Sequence, residues 1–354
     1  MSLHPVTASL LHWYRPNRRD LPWRNTSNPY FIWLSEVILQ QTRVDQGTPY
    51  YHHFTETYPS VQHLAEASED HVLRSWQGLG YYSRARNLHA AAQDVVQRFG
   101  GTFPNTYEGI RSLKGVGDYT AAAIASIAFN LPHAAIDGNV IRVLSRLFAL
   151  DADVQTAPTK QAIAQLAAQL LPTEHAGDFN QAMMELGATV CKPKQAQCES
   201  CPLREWCQAL KENRVYDFPL KGRKTAVRPR YFHYFVCIDP QHRVWLEQRK
   251  GNDIWQGLYQ FPLFESAAVA LDTDALPKAL RNLTKPLWVS KTYQHKLSHQ
   301  TLHVQFRVFQ VNARFKPDSG AVEKVSIDAL ESKAFPRLIL RFLEDYPPLK
   351  FQKE

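Results

Sequence analysis

The apolar residues of this chain change their period once, and that change limits the fold more than any other feature. Up to about residue 210 they recur every three or four positions, over 6–14, 29–41, 44–54, 82–99, 118–129, 138–149, 159–171 and 179–191. Beyond 230 they alternate at period two, in "YFHYFVCID" and "RVWLEQRK" around the turn-like Asp239-Pro240-Gln241-His242, and again over 288–293 and 302–311. A stripe at helical spacing is buried against other helices, whereas an alternating one lies on a sheet face. At 354 residues the chain can bury two cores. The expected fold is therefore multidomain, an all-α region followed by an α+β region. Between them, "KENRVYDFPLKGRKTAVRPR" (211–230) carries seven Lys/Arg against two acids, with two prolines and a glycine. It reads as an exposed basic linker.

A net charge of +8 favours an anionic partner but does not choose between nucleic acid and a membrane surface. No apolar run is long enough to span a bilayer, and the N-terminus lacks the pattern of a signal peptide. The expectation is an intracellular protein, cytoplasmic and nucleoid-associated if bacterial, whose five cysteines are reduced or ligating.

Four of those cysteines, Cys191, Cys198, Cys201 and Cys207, form C-x6-C-x2-C-x5-C. Four thiolates within seventeen residues can close one compact metal cage. A structural zinc site meets the same chemistry, although zinc ribbons usually pair two C-x2-C knuckles and only one is present. The fifth, Cys237, lies in a strand pattern and reads as a small core residue.

"LKGVGDYTAAAIASIAF" (113–129) places Gly115 and Gly117 directly before an Ala-rich helix. Glycines allow a tight turn and close backbone approach, and a helix start presents free N–H groups, so this segment can hold a phosphate. A plain helix-joining turn has the same pattern. Asp137, before the helix of "AAIDGNVIRVLSRLF", reads first as an N-cap that fixes its carboxylate and keeps it ionised. Glu36 lies inside the apolar "WLSEVILQQT". It either pairs with an arginine such as Arg24 or Arg43, or it stays unpaired with a pKa raised by desolvation. A protonated carboxyl in an apolar helix and an ionised one at a helix start together make an acid and an electrostatic stabiliser for cleavage at an anomeric carbon.

These stretches, with "LPWR" (21–24), "GLGYYSRARNLH" (78–89) and "FNQAMMELGA" (179–188), resemble the MutY-type adenine DNA glycosylases. That family is related to endonuclease III within the helix-hairpin-helix group of DNA repair glycosylases. The resemblance implies a 4Fe-4S cluster on Cys191, Cys198, Cys201 and Cys207. It implies a cluster subdomain of residues 1–27 and 134–210 and a six-helix barrel over 28–133 containing the hairpin. The partner is double-stranded DNA with adenine opposite 8-oxoguanine or guanine, bound by a monomer.

Residue by residue, the resemblance makes Glu36 the acid that protonates a flipped adenine and activates water, and Asp137 the stabiliser of the oxocarbenium-like sugar. Tyr119 and Asn139 line the same site, with Arg24 and Gln181 beside the adenine. Gln41 and Tyr81 fill the gap in the duplex, one of the pair Tyr81 and Tyr82 being needed for helix packing. Lys114, Gly115, Gly117, Lys192 and Lys194 face DNA phosphates, with Lys114 where the family has proline. Family members that also cleave the strand carry a lysine where this chain has Tyr119, so hydrolysis alone is expected, with Lys114 the nearest substitute amine. A bifunctional oxidised-pyrimidine glycosylase and a non-catalytic DNA-binding redox module are the rival readings.

The region 230–354, after a linker at 211–229, resembles the MutT-like, Nudix-fold domain of the same family through "DIWQGLYQFPLFE" (253–265). The scattered acids Glu265, Asp272 and Asp274 do not supply a metal-binding glutamate run. The resemblance instead implies 8-oxoguanine recognition by Ser298 and His299 in "KLSHQTLHV", with Leu297 where the family has phenylalanine.

Overall fold

The computed structural model describes residues 3–222, 227–283, 285–297, 299–318 and 322–349. Along the first half run α1 (Pro5–Asn17), α2 (Pro29–Leu39), α3 (Val44–Thr57), α4 (Val61–Glu66), α5 (Glu69–Ser75) and α6 (Ser83–Phe99). They are followed by α7 (Tyr107–Arg111), α8 (Asp118–Phe129), α9 (Gly138–Leu147), α10 (Ala157–Leu170), α11 (Ala176–Thr189) and α12 (Gln208–Lys211). The second half carries β1 (Arg228–Ile238), β2 (Arg243–Gln248), β3 (Tyr259–Gln260), β4 (Leu263–Ser266), α13 (Lys278–Arg281), β5 (Trp288–Val289), β6 (Tyr293–Lys296), β7 (Gln300–Gln310), β8 (Val322–Ser326) and α14 (Arg337–Asp345). The helices expected from periodicity are all present. The short α4, α5 and α7 were not anticipated, being too brief to show a period. The run 288–293 is two strands, broken at residues 290–292.

By internal contacts the chain forms two units, one of residues 1–66 and 87–223, the other of 67–86 and 224–354. In the first, α2 starts at an Asn28 cap whose side chain accepts from the Tyr30 N–H, with Pro29 in the first turn. Tyr30, Ile32, Trp33, Leu34, Val37 and Ile38 of α2 are buried. Almost the whole circumference of α2 is therefore enclosed, and it packs on α8 and α3. A second core joins α1, α9, α10 and α11 through residues such as Leu10, Leu144, Ile163 and Leu186. Burying a leucine of this kind contributes on the order of 2 kcal/mol. The segment read as an exposed linker is partly internal. Phe218 is 2% exposed and packs with Val215 and Ala209, so the helical unit continues past residue 211.

In the second unit β1 is central, parallel to β7 along its length and antiparallel to β2 and β4, in the path β3-β2-β1-β7-β5. The alternation along β1 divides the strand between two cores. Phe232, Tyr234, Val236 and Ile238 enter one, which α14 covers with Ile339 and Phe342, and Phe235 and Cys237 enter the other. Residues 67–86 also belong here. The Tyr82 hydroxyl donates to the Phe335 carbonyl at 3.3 Å, the Phe335 N–H donates to Gln77 Oε1 at 3.1 Å, and Arg86 donates to the Gln256 carbonyl.

Candidate functional site

Glu36 faces a cavity of about 380 Å³ in the helical unit, within the size range of small-molecule sites. The turn at Leu21–Arg24, α2, the Gln40–Thr42 loop, Tyr119 of α8, Asp137–Asn139 and one side of α11 line it. The Tyr119 hydroxyl donates to Glu36 Oε2 at 2.6 Å and lies 3.3 Å from the Met184 sulfur. Neither arginine proposed as a partner reaches Glu36. Arg24 donates to Glu185 Oε2 at 2.7 Å and to the Arg19 carbonyl at 3.1 Å, while Arg43 is bound to Asp45. Burial pushes the Glu36 carboxyl up to about 7, with the negative Asp137 adding to the rise. The Tyr119 hydrogen bond and the distant Arg24 charge oppose it.

Asp137 caps α9, as its position implied, with Oδ1 accepting from the Val140 N–H at 2.8 Å. Its Oδ2 accepts from Asn139 Nδ2 at 2.7 Å. The cap was expected to hold this group as an ordinary ionised aspartate. Burial nevertheless raises its pKa above the usual value, against the pull of those donors. Asn139 is oriented from its other end, where Arg142 Nη2 donates to Oδ1 at 2.8 Å, and Arg142 also donates to the carbonyls of Gly187 and Cys191. Gly187 permits this contact, since a Cβ there would lie 2.6 Å from Asn139 Cβ.

Sequence reasoning missed Glu185. Its side chain is 0% exposed and is gripped by both Arg19 and Arg24. Burial alone would raise its pKa, but the hydrogen bonds from Arg19 and Arg24 outweigh it and hold the carboxyl down at about 2. Three acids thus line one cavity: Glu185, buried and tied to two guanidinium groups, and the half-buried Glu36 and Asp137, neither of them ion-paired among the described residues. The signal for Glu185 was the same as for Glu36, a charge inside the apolar helix of "FNQAMMELGA". Arg142 and Arg19 carry no spacing in the sequence that separates them from ordinary surface charges.

The hairpin between α7 and α8 contains Lys114-Gly115-Val116-Gly117. Gly115 has φ +75° and a Cβ there would meet Asn87 Cβ at 2.5 Å, so both conformation and space demand glycine. Gly117 is the N-cap of α8 without a side-chain cap, leaving the helix-start N–H groups to another acceptor. Lys114 and Lys194 are exposed and Lys192 half-buried. Gln41 and Tyr81, both exposed, adopt left-handed backbone conformations at φ 55° and 47°, strained for residues with a side chain. Tyr82, by contrast, is buried. Gln181 lines the Glu36 cavity. His299 is exposed beside a separate cavity in the second unit, and Ser298 lies outside the described residues.

Cys191, Cys198, Cys201 and Cys207 surround one small cavity with Val190, Leu210 and Val215. Among the described residues no group of three or more His, Cys, Asp or Glu is placed to hold a single metal ion. Four thiols lining one small cavity fit a cluster in which each iron takes its own thiolate. Buried Arg146 turns its guanidinium to this cavity, Nη1 lying 3.3 Å from Cys191 Sγ and 2.9 Å from the Lys192 carbonyl. A cation there suits an anionic thiolate-bound group. In the second unit Glu265 is held by Arg230 at 2.7 Å. Among the described residues, no helix is long and apolar enough to cross a membrane.

Residues 34–172 match the HhH-GPD superfamily base excision DNA repair protein family, and residues 233–345 match the NUDIX domain. The chain is 34% identical over 299 residues to the adenine DNA glycosylase of Buchnera aphidicola subsp. Baizongia pistaciae, covering 84% of this chain and 83% of that protein. It is 31% identical over 350 residues to the adenine DNA glycosylase of Buchnera aphidicola subsp. Acyrthosiphon pisum, covering 98% and 99%. The adenine DNA glycosylase of Homo sapiens is 47% identical over 216 residues, 58% of this chain and 40% of that one. Among solved structures, a thermostable thymine-DNA glycosylase superposes with TM-score 0.54 and 28% identity over 58% of this chain and 95% of its own. An endonuclease III–DNA complex superposes at TM-score 0.50 and 22% identity over 58% and 94%, a likeness of fold.

Proposed function

Because this chain belongs to the adenine DNA glycosylases, base excision repair enzymes of the HhH-GPD superfamily, we propose that it hydrolyses the N-glycosidic bond of adenine mispaired with 8-oxoguanine or guanine. It leaves an abasic site without cutting the strand. The observation that carries this reading is the unpaired Glu36, with a carboxyl near pKa 7 facing a cavity it shares with Asp137.

Adenine reaches such a cavity only when rotated out of the duplex. Tyr119 occupies Glu36 Oε2, which leaves Oε1 to carry the acidic proton. Transfer of that proton to the adenine ring makes the base a neutral leaving group. As the bond breaks, positive charge develops on the sugar, and the Asp137 carboxylate, fixed by Val140 and Asn139, stabilises it. Glu36, now ionised, accepts a proton from the attacking water and returns to its starting state. Arg24 is bound to Glu185, so in this reading it shapes the adenine pocket beside Gln181 without neutralising Glu36.

Tyr119 carries no amine, and Lys114 does not line the cavity, which supports hydrolysis without a Schiff base. Gln41 and Tyr81 would enter the duplex at the vacated position, and Gly115, Gly117, Lys114, Lys192 and Lys194 would hold phosphates. The four cysteines would carry a 4Fe-4S cluster that stiffens the loop containing Lys192 and Lys194. The second domain, with Ser298 and His299, would read the opposite base. The protein would act as a cytoplasmic monomer on nucleoid DNA.

The test is incubation with duplexes carrying adenine opposite 8-oxoguanine, guanine, cytosine and thymine, followed by chromatographic identification of the released base. Free adenine from the first two, with strand breaks only after alkali, is the expected result. Release of an oxidised pyrimidine, or covalent trapping by borohydride, would overturn the reading.

A further inference from the structure

The second unit contains its own cavity of about 250 Å³, lined in part by Tyr81, Asp253, Trp255, Leu297, His299 and Gln300. Two of its aromatic walls have backbone conformations rare for residues with side chains: Tyr81 at φ 47° and Trp255 at φ 61°. Such strain persists only where the surroundings impose it, and around Trp255 they do. Asp253 is clasped by Arg230 at 2.8 and 2.9 Å and by Arg249 at 2.8 Å. Arg249 Nε donates to the Ile254 carbonyl at 2.9 Å, and Arg86 binds Gln256. On both sides of Trp255, then, the chain is pinned by arginines. Its indole packs at a tilt of 55° on His295, with centroids 5.8 Å apart, on the strand that leads into the Leu297 loop. Trp255 and Leu297 both rest on the same apolar core.

An aromatic wall held in place beside polar edge groups is suited to a planar base, because a ring pinned beforehand loses little freedom when a base stacks on it. Leu297 offers no ring. We propose that Trp255 is the aromatic contact for the oxidised purine opposite the target adenine, supplying in this chain the ring that position 297 lacks. This rests on the mispair specificity given under Proposed function.

The experiment measures binding of the full-length protein to duplexes containing 2′-fluoro-2′-deoxyadenosine, which is not excised, opposite 8-oxoguanine, alongside an undamaged duplex. Thermal midpoints are followed in parallel. Trp255→Leu keeps apolar bulk on the core and should weaken 8-oxoguanine binding about tenfold, with a smaller loss on undamaged duplex. Trp255→Phe should weaken it less than Trp255→Leu. Adding Leu297→Phe to Trp255→Leu should restore most of the lost affinity, although the same change in the wild type adds little. Equal loss on both duplexes overturns the proposal, as does failure of Leu297→Phe to rescue a variant whose thermal midpoint is unchanged. A Trp255→Leu protein that unfolds leaves the decision to Trp255→Phe, which must retain preference for 8-oxoguanine. Wild-type protein with no such preference overturns the mispair reading itself, and this proposal with it.

Discussion

Replacing Glu36 by glutamine removes the acid while keeping the shape and an acceptor for the Tyr119 hydroxyl. Two opposite effects should follow. The carboxyl rises from 4.5 to about 7 on folding, which corresponds to about 3 kcal/mol of free energy. Because Glu36 is only half-buried, solvent screens part of this and about 3 kcal/mol is an upper value. Between pH 4.5 and about 7 the folded state holds a proton that the unfolded state has lost, so wild-type stability falls across that window. Glutamine has no such dependence. At pH 8 the variant should therefore melt higher than the wild type, by roughly 5–10 °C for a unit of this size, and near pH 4.5 the difference should vanish. Calorimetry of the DNA-free proteins at the two pH values measures it. In the same protein adenine release should be almost abolished. The wild-type excision rate under single turnover should fall about tenfold per pH unit above about 7, as the acidic form is depleted. A variant less stable than wild type at pH 8, or an equal difference at both pH values, would refute the claim that Glu36 is a desolvated acid with no arginine partner.

Glu185→Gln should behave in the opposite way, losing about 3 kcal/mol because the nearly buried Arg24 loses its partner, with the loss limited by the exposure of Arg19. Since the Glu185 carboxyl sits at about 2, the wild-type advantage should be full above pH 4.5 and fade as the pH falls toward 2, which denaturant titrations would detect. Gly115→Ala should cost about 2 kcal/mol through its positive φ and the collision with Asn87, and should weaken binding to any duplex, read by melting and by gel shift. With the proposed cluster on the four cysteines, wild-type protein should contain about four iron atoms per chain by elemental analysis, and Cys201→Ser should contain less and melt at a lower temperature.

Much of this protein is local and was legible from the sequence. Period three-to-four gives way to period two between residues 210 and 230 because apolar spacing dictates which surface an element can bury. The cap at Asp137, the glycine hairpin and the cysteine spacing depend on residues a few positions apart, and the structure keeps each of them. The partners of buried charges were not legible, since an ion pair joins residues far apart in sequence. Arg24 could have neutralised Glu36; only the packing of α11 brings Glu185 to Arg24 and leaves the acid on α2 without a cation. Tertiary structure likewise placed residues 67–86 with the second unit and put Tyr81 and Trp255, 174 positions apart, on one cavity. Spacing along the chain determines what each element can bury, and three-dimensional packing decides which charge or ring it meets there.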